Sequence, residues 1–215
     1  MAWSALPSTI PVFPLPNVVF FPKTYIPLHI FEPRYRQMVV DAQQGDGIIG
    51  MALLKEGWEA HYHGNPPIYP VGCAGRLVTV ESLEDGRFNI LLYGIGRFLV
   101  TREHFDRPYR QAQVEPLPQK RSGVLAPREL AHLLDLVKNL GKQVEQGSML
   151  EALMEAGLED ETLIQTLSFT LPFTPLEKQF LLEAETLSQQ AHRLMDLLRF
   201  LILDHATGRR SRQGH

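Results

Sequence analysis

The chain has 215 residues, of which 44% are hydrophobic and 21% are charged, which is typical of a globular protein and excludes collagen, coiled coils and extended disorder. Its 21 Lys and Arg against 24 Asp and Glu give a net charge of −3, so no overall positive potential attracts nucleic acid or an anionic membrane. The single cysteine, Cys73, excludes an internal disulfide and is expected to be a small core residue of a cytoplasmic protein.

The first half of the chain favours short β-strands. Thirteen of the 16 prolines lie at or before Pro118, and they separate apolar segments that are only a few residues long. The predicted strands cover residues 10–15, 25–29, 47–54, 72–83, 87–103 and 110–117. About six short strands predict a β sandwich or barrel.

Two local signals refine this strand pattern. Asp85-Gly86 predicts a hairpin turn, because both residues tolerate the positive φ of a tight turn. Gly94-Ile95-Gly96 predicts a bulge or sharp bend in a long strand. One helix interrupts the strands, with Pro33 at its first position and Gly45 as its stop. Its apolar residues recur at helical spacing; they are Tyr35, Met38, Val39 and Ala42.

The second half of the chain favours four or five helices. One leucine-rich stripe follows Pro127 and runs from Leu130 to Val144. Capping boxes are predicted at Ser148 with Glu151 and at Thr174 with Glu177, and Thr186 with Gln189 marks the start of the last helix. The basic residues 208–215 are expected to be a disordered tail.

Four segments resemble the N-terminal domain of the ATP-dependent Lon protease. They are VFPLPNVVFFPKTYIPLHIFEPRYRQM at residues 12–38, YPVGCAGRL with FNILLYGIGRFLV at 69–77 and 88–100, and LPFTPLEKQFLLE at 171–183. The resemblance implies an α+β fold: a PUA-like β pseudo-barrel with one inserted helix, followed by a C-terminal α-helical bundle. The expected boundaries are 8–118 for the barrel, 124–207 for the bundle and 208–215 for the tail.

The resemblance implies a function of recognition without catalysis. No segment matches the phosphate-binding pattern G-x-x-x-x-G-K-[ST], since Gly141-Lys142 is followed by Gln143. No protease motif is present either, so neither ATP hydrolysis nor proteolysis is expected, and no cofactor is implied. The implied role is adaptor-like or chaperone-like binding of unfolded or exposed polypeptide segments, with a full Lon protease as a candidate partner. A monomer or weak dimer is expected, and no contact with membrane or nucleic acid.

Six residues are candidates for contacts with such a polypeptide: Tyr25, Phe31, Arg34, Tyr35, Tyr93 and Arg97. A peptide-binding surface needs exposed apolar area with arginine at its edge. The alternative for Phe31 and Tyr35 is packing in the core, because aromatic residues at helical spacing are mostly buried. The glycines beside Tyr93 and Arg97 permit close approach of another backbone, so strand addition at that edge and a simple bulge both remain open.

Two other functions remain open from the residues alone. His61, His63 and Cys73 could hold a metal ion for a hydrolase, although a polar loop carrying two histidines is a weak metal signal. Four arginines, Arg97, Arg102, Arg107 and Arg110, lie near Phe105 and Tyr109 and suggest RNA binding by a PUA-like barrel. The acidic residues Glu103 and Asp106 between them weigh against RNA.

Overall fold

A computed structural model of the chain describes residues 6–61, 64–120, 125–143 and 147–207. The strands are β1 (Thr9–Leu15), β2 (Tyr25–Ile30), β3 (Ile48–Leu53), β4 (Val71–Ser82), β5 (Phe88–His104) and β6 (Gln111–Pro116). The helices are α1 (Pro33–Gln44), α2 (Pro127–Gly141), α3 (Gly147–Glu155), α4 (Asp160–Thr170), α5 (Pro175–Leu182) and α6 (Leu187–Thr207). A short 3-10 helix covers Trp58–His61. The predicted α+β fold with one α-helix between the strands is confirmed.

The strands form one mixed sheet that closes on itself only in part. The order is β2-β5-β4-β3-β1-β6, and β5 also pairs with β6. Five strands therefore form a ring, in which β5 pairs with β4 along one side. On its other side, β5 pairs first with β2 and then with β6. The ring is not a regular barrel, because β2 is attached to β5 alone and its opposite edge has no partner strand among the described residues.

The ring encloses an apolar core. Every strand of the ring contributes to it, and all six residues of β3 are buried, so this strand is covered on both faces. The buried cluster consists of Ile10, Val12, Ile48, Ala52, Leu54, Ile68, Ala74, Phe98, Ala112 and Val114. Cys73 is fully buried beside it, as the sequence predicts for a lone cysteine.

The β4–β5 hairpin differs in detail from the prediction. The Leu83 N–H donates to the Arg87 carbonyl, and the Gly86 N–H donates to the Leu83 carbonyl. Among the described residues of this turn, Gly86 alone has a positive φ, of 77°. The prediction of positive φ at both Asp85 and Gly86 is therefore wrong: the connection is a three-residue loop that ends in a left-handed glycine.

The glycine break in β5 is a bulge in a strand that is paired on both sides. The register between β4 and β5 shifts between Ala74 and Gly75. A Cβ at Gly94 would overlap the Phe21 carbonyl oxygen. The close backbone approach that the glycine allows is therefore used by the chain's own segment before β2, and this part of β5 has no free edge for another strand.

Helix α1 docks through an apolar face and one polar contact. Tyr35, Met38, Val39 and Ala42 are buried, as predicted. The Tyr109 hydroxyl donates to Asp41 Oδ2 at 2.6 Å. Burial, followed by this hydrogen bond, raises the pKa of Tyr109 to about 12, and the same bond is the main cause that lowers the pKa of Asp41.

Residue contacts divide the chain into two compact units, and one helix belongs to the unit of the strands. That unit contains the chain up to Pro118 together with Thr174–Glu183, and so includes α5. Arg97, which is only 3% exposed, donates from Nη1 to the Leu182 carbonyl at 2.7 Å. Leu182 ends α5, so this carbonyl has no partner within the helix. Gln179 also donates to the Val71 carbonyl at 3.0 Å.

The second unit contains α2, α3, α4 and α6. Thr186 accepts from the Gln189 N–H and caps α6, as predicted, and α6 buries Ala191, Leu194, Leu198 and Leu201. The buried side chains of Gln165, Ser168 and Gln190 form a hydrogen-bonded cluster that the half-buried Gln119 joins. Helix α3 begins at Gly147, one residue before the predicted cap.

The end of the predicted leucine stripe at Val144 and the predicted tail at 208–215 lie outside the described residues. Among the helices of the described part, none is long and apolar enough to span a bilayer.

The bond from Arg97 to α5 predicts a specific stability change. Arg97→Met keeps the length of the side chain but leaves the Leu182 carbonyl without its donor, so the free energy of unfolding in urea should fall by about 1–3 kcal/mol. Amide hydrogen exchange in α5 should accelerate. Arg102→Met, an exposed arginine on the same strand, should change stability by less than about 0.5 kcal/mol. Unchanged exchange in α5 would show that the bond does not hold this helix.

The raised pKa of Tyr109 predicts a loss of stability at alkaline pH. The unfolded chain ionises this phenol near its ordinary pKa of about 10, whereas the folded chain ionises it at about 12. The contribution of Tyr109 to the free energy of unfolding is therefore complete below about pH 10 and is lost as pH rises toward 12. Unfolding measured in urea across this range should show a shallower decline for Tyr109→Phe than for the unaltered chain. If the stability of Tyr109→Phe and that of the unaltered chain declined in parallel, the raised pKa assigned to Tyr109 would be contradicted.

Candidate functional site

An apolar groove of about 510 Å³ lies between the end of β1 and the end of β2. These two strands both line it but are not hydrogen-bonded to each other. The lining residues are Phe13, Pro14, Leu15, Pro16, Leu28, His29, Ile30, Phe31, Glu32, Tyr35 and Trp58. Its size and apolar lining are typical of a binding site for a small molecule or for a few side chains.

The start of α1 shapes one wall of the groove. Pro33 occupies the first helical position, so the chain changes from strand to helix directly after Phe31 and Glu32. Tyr35 is buried, and its ring packs against Phe13 with centroids 4.4 Å apart. Phe31 is instead 60% exposed at the rim. The groove therefore has a fixed aromatic floor and an accessible aromatic edge.

The charge at the groove is balanced. Glu32 is the one carboxylate among the lining residues, and Arg34 Nη2 lies 2.9 Å from its Oε2. The Arg34 guanidinium also lies 4.6 Å from the centre of the Tyr35 ring, as in a cation–π contact. Since the pair neutralises itself, the groove presents no net charge to a ligand.

Hydrogen bonds fix the His29 imidazole at the rim. Asn89 Nδ2 donates to Glu81 Oε2 at 2.9 Å, so Asn89 presents Oδ1 to His29 Nδ1, 2.8 Å away. The His29 nitrogen Nδ1 is therefore the donor. Arg87 Nη1 lies 3.3 Å from His29 Nε2, and because arginine only donates, Nε2 accepts. The held ring stacks against Phe31 with centroids 6.3 Å apart.

Three of the six predicted contact residues, Phe31, Arg34 and Tyr35, meet at this groove. Tyr25 and Tyr93 form a separate pair with ring centroids 4.8 Å apart, opposite each other in the β2–β5 register. Tyr25 is exposed, so the pair adds aromatic surface at the other end of β2.

The structure places Arg97 away from any accessible surface. Its guanidinium is buried and bound to the end of α5, and burial lowers its pKa. The side chain is thus a structural link within its unit, and we do not include it in the proposed contact surface. Its position after a glycine break gave no sign of burial, because arginine is seldom buried.

A second, smaller cavity of about 210 Å³ lies beside α1 and the start of β6. Three of its polar lining residues already bind one another: Asp41 accepts from Tyr109, and Arg107 Nη1 lies 3.5 Å from the same carboxylate. This cavity is consequently a poor candidate for a polar ligand.

The metal hypothesis gains no support from the described residues. No group of three or more His, Cys, Asp or Glu in that part of the chain is arranged to hold a metal ion. The side chain of His61 and the whole of His63 lie outside the described residues. Cys73 is completely buried, and burial raises the pKa of its thiol, which disfavours the thiolate that a metal would bind.

The arginines considered for RNA are largely engaged within the protein. Arg110 is buried, donates to the Pro66 carbonyl at 2.6 Å, and lies 3.1 Å from Glu103 Oε2. Arg107 pairs with Asp41, and Arg97 with α5. Phosphate contacts need accessible cations. Of these four arginines, Arg102 and Arg107 are exposed, and Arg107 is in the ion pair with Asp41.

Several groove residues were missed by sequence reasoning, notably Trp58, Phe13 and Leu28. Trp58 lies in a segment that resembles a polar loop. A large aromatic residue is unusual in such a loop, and this was the signal that could have identified Trp58 as a groove residue. Phe13 and Leu28 could not be distinguished from core residues, because the alternation that places them on strands does not show which strand edges are open.

Comparison with known proteins identifies the family. Residues 9–199 match the model of the ATP-dependent protease La (LON) substrate-binding domain. The chain is 28% identical over 202 residues to the Lon protease of Flavobacterium johnsoniae, covering 91% of this chain and 24% of that protein. It is 25% identical over 198 residues to Lon protease 2 of Myxococcus xanthus, covering 90% and 24%. The chain thus spans about a quarter of the length of these curated relatives.

Solved structures show the same fold. The N-terminal domain of Mycobacterium avium complex Lon protease superposes with a TM-score of 0.66 at 17% identity, covering 89% of this chain and 98% of that one. A Lon N-terminal domain protein from Xanthomonas campestris gives 0.61 at 23% identity, with the same coverages. The fold implied by the sequence resemblance is confirmed, and the chain belongs to the LON substrate-binding domain family.

Proposed function

We propose that this chain recognises exposed apolar segments of polypeptide in the groove between β1 and β2, and catalyses no reaction on them. The observation that carries the proposal is an accessible groove with an aromatic floor and a rim residue, Phe31, that is 60% exposed. Membership of a substrate-binding family supports it.

The composition of the groove favours apolar side chains, which a polypeptide exposes when it is unfolded. Apart from His29 and the paired Glu32, its lining is aliphatic, aromatic or proline. Removing apolar surface from water is worth roughly 25 cal/mol per Å², so a few inserted apolar side chains would supply most of the binding free energy. A folded protein keeps such side chains in its core, and the groove would therefore discriminate against it.

The proposed role is that of an adaptor or chaperone-like module. In this role the chain holds a polypeptide segment, and another protein acts on it. The relatives that it matches include proteins named Lon protease, and we propose a full Lon protease as a candidate partner. Recognition by the groove does not require that partner, so it can be tested with the isolated chain.

A single substitution at the rim tests the groove. Phe31→Ser should weaken binding of fluorescein-labelled lysozyme that has been reduced and carboxymethylated, and is therefore permanently unfolded, by about five- to tenfold. The reason is the loss of apolar contact worth about 1 kcal/mol or slightly more. Fluorescence anisotropy without nucleotide, at low and high salt, gives the dissociation constants.

The chain offers a matched control for this variant. Phe200 is also an exposed phenylalanine, 66% accessible on α6, so Phe200→Ser removes similar apolar surface and should leave binding unchanged. Folded lysozyme should compete poorly. Equal affinities of the two variants for the unfolded probe would show that the groove is not the binding site. If the unaltered chain did not bind the unfolded probe, the proposed function would be refuted. Binding that collapses with salt would favour charge recognition instead.

A further inference from the structure

The outer edge of β2 offers unpaired backbone groups beside the groove. Strand β2 is at the end of the sheet, with β5 on one side and no strand of the described chain on the other. The end of β2, at Leu28, His29 and Ile30, lines the groove, so the open edge leads into the apolar lining there. An unpaired strand edge is a template for another extended chain.

The register shows which groups point outward. Tyr25 lies opposite Tyr93, and the Gly94 N–H donates to the Thr24 carbonyl. In an antiparallel pair, hydrogen-bonded and non-hydrogen-bonded positions alternate. Even-numbered residues of β2 therefore bond to β5, and the odd-numbered Tyr25, Pro27 and His29 direct their backbone groups away from it.

Proline placement agrees with this assignment. Pro27 has no N–H, and it occurs at an outward position where β5 needs none. The edge thus presents N–H groups at Tyr25 and His29 and carbonyls at both residues and at Pro27. Donors and acceptors span four residue steps, about 13 Å of extended chain.

The opposite wall of the groove cannot offer an equivalent ladder. From Phe13 to Leu15, β1 pairs with β3 on one side, and no strand of the described chain covers its other side. Pro14 and Pro16 lack the N–H groups that a ladder requires. Strand β2 is therefore the edge able to bind a backbone, while β1 contributes apolar contact.

We propose that the polypeptide in the groove binds as an added strand on the outer edge of β2, which deepens the proposed function and rests on it. The occupant is an extended, uncharged apolar segment of an unfolded polypeptide, about four to six residues long. Its lack of charge complements a groove whose carboxylate, Glu32, is already neutralised by Arg34. Backbone bonds add affinity that is independent of sequence, and the side chains that enter the groove select apolar residues.

Residue-resolved amide hydrogen exchange tests the binding mode on the chain itself. With saturating reduced and carboxymethylated lysozyme, the N–H groups of Tyr25 and His29 should exchange at least tenfold more slowly. Those of Ile26 and Leu28, already bonded to β5, should change much less. Saturated binding by anisotropy with no slowing at Tyr25 and His29 would overturn strand addition while leaving recognition by the groove intact. Absence of binding would refute both.

A pair of substitutions at one position isolates the backbone bond. His29→Pro removes the outward N–H, as the chain itself does at Pro27, whereas His29→Ala removes the imidazole and keeps the N–H. His29→Pro should bind the same probe about five- to tenfold more weakly than His29→Ala, the value of one lost hydrogen bond. Equal affinities would overturn the proposal. If His29→Pro does not fold, as circular dichroism would show, the exchange measurement decides.

Discussion

The division of β5 between two partners is the constraint on which the site depends. Strand β5 is 17 residues long, and on one side its first part pairs with β2 and its second part with β6. The change of partner occurs next to Gly94, where the absence of a side chain lets the Phe21 backbone cross closely. Since β6 continues to β1 and closes the ring, β2 is left with an open edge, and the groove forms between β2 and β1.

Arginine side chains stabilise this arrangement from inside. Arg97 and Arg110 are both buried and both donate to backbone carbonyls, of Leu182 and Pro66 respectively. Each links segments far apart in the sequence. Their function is to satisfy carbonyls where regular pairing ends, and a buried guanidinium can do this because it carries several donors in a fixed geometry.

Sequence reasoning predicted the elements better than the site. Strand and helix patterns, the α1 start at Pro33 and the cap at Thr174 follow from local rules, and the structure contains them. Phe31, Arg34 and Tyr35 were found because they surround that helix start. Arg97 was assigned to a surface because burial depends on a contact 85 residues away, with Leu182, and no local pattern records such a contact. Trp58 was missed because its segment resembles a polar loop, and Phe13 because strand alternation does not show which strand edge is open.

Pro27 has a consequence for the protein at high concentration. An open, apolar strand edge is the usual starting point of edge-to-edge association between identical chains, which can continue into fibres. Two β2 edges brought together would each present a proline near the centre, where a continuous ladder needs donors. The missing donor at Pro27 therefore opposes growth of an extended sheet between molecules, while the outward N–H groups of Tyr25 and His29 remain available to a short guest strand.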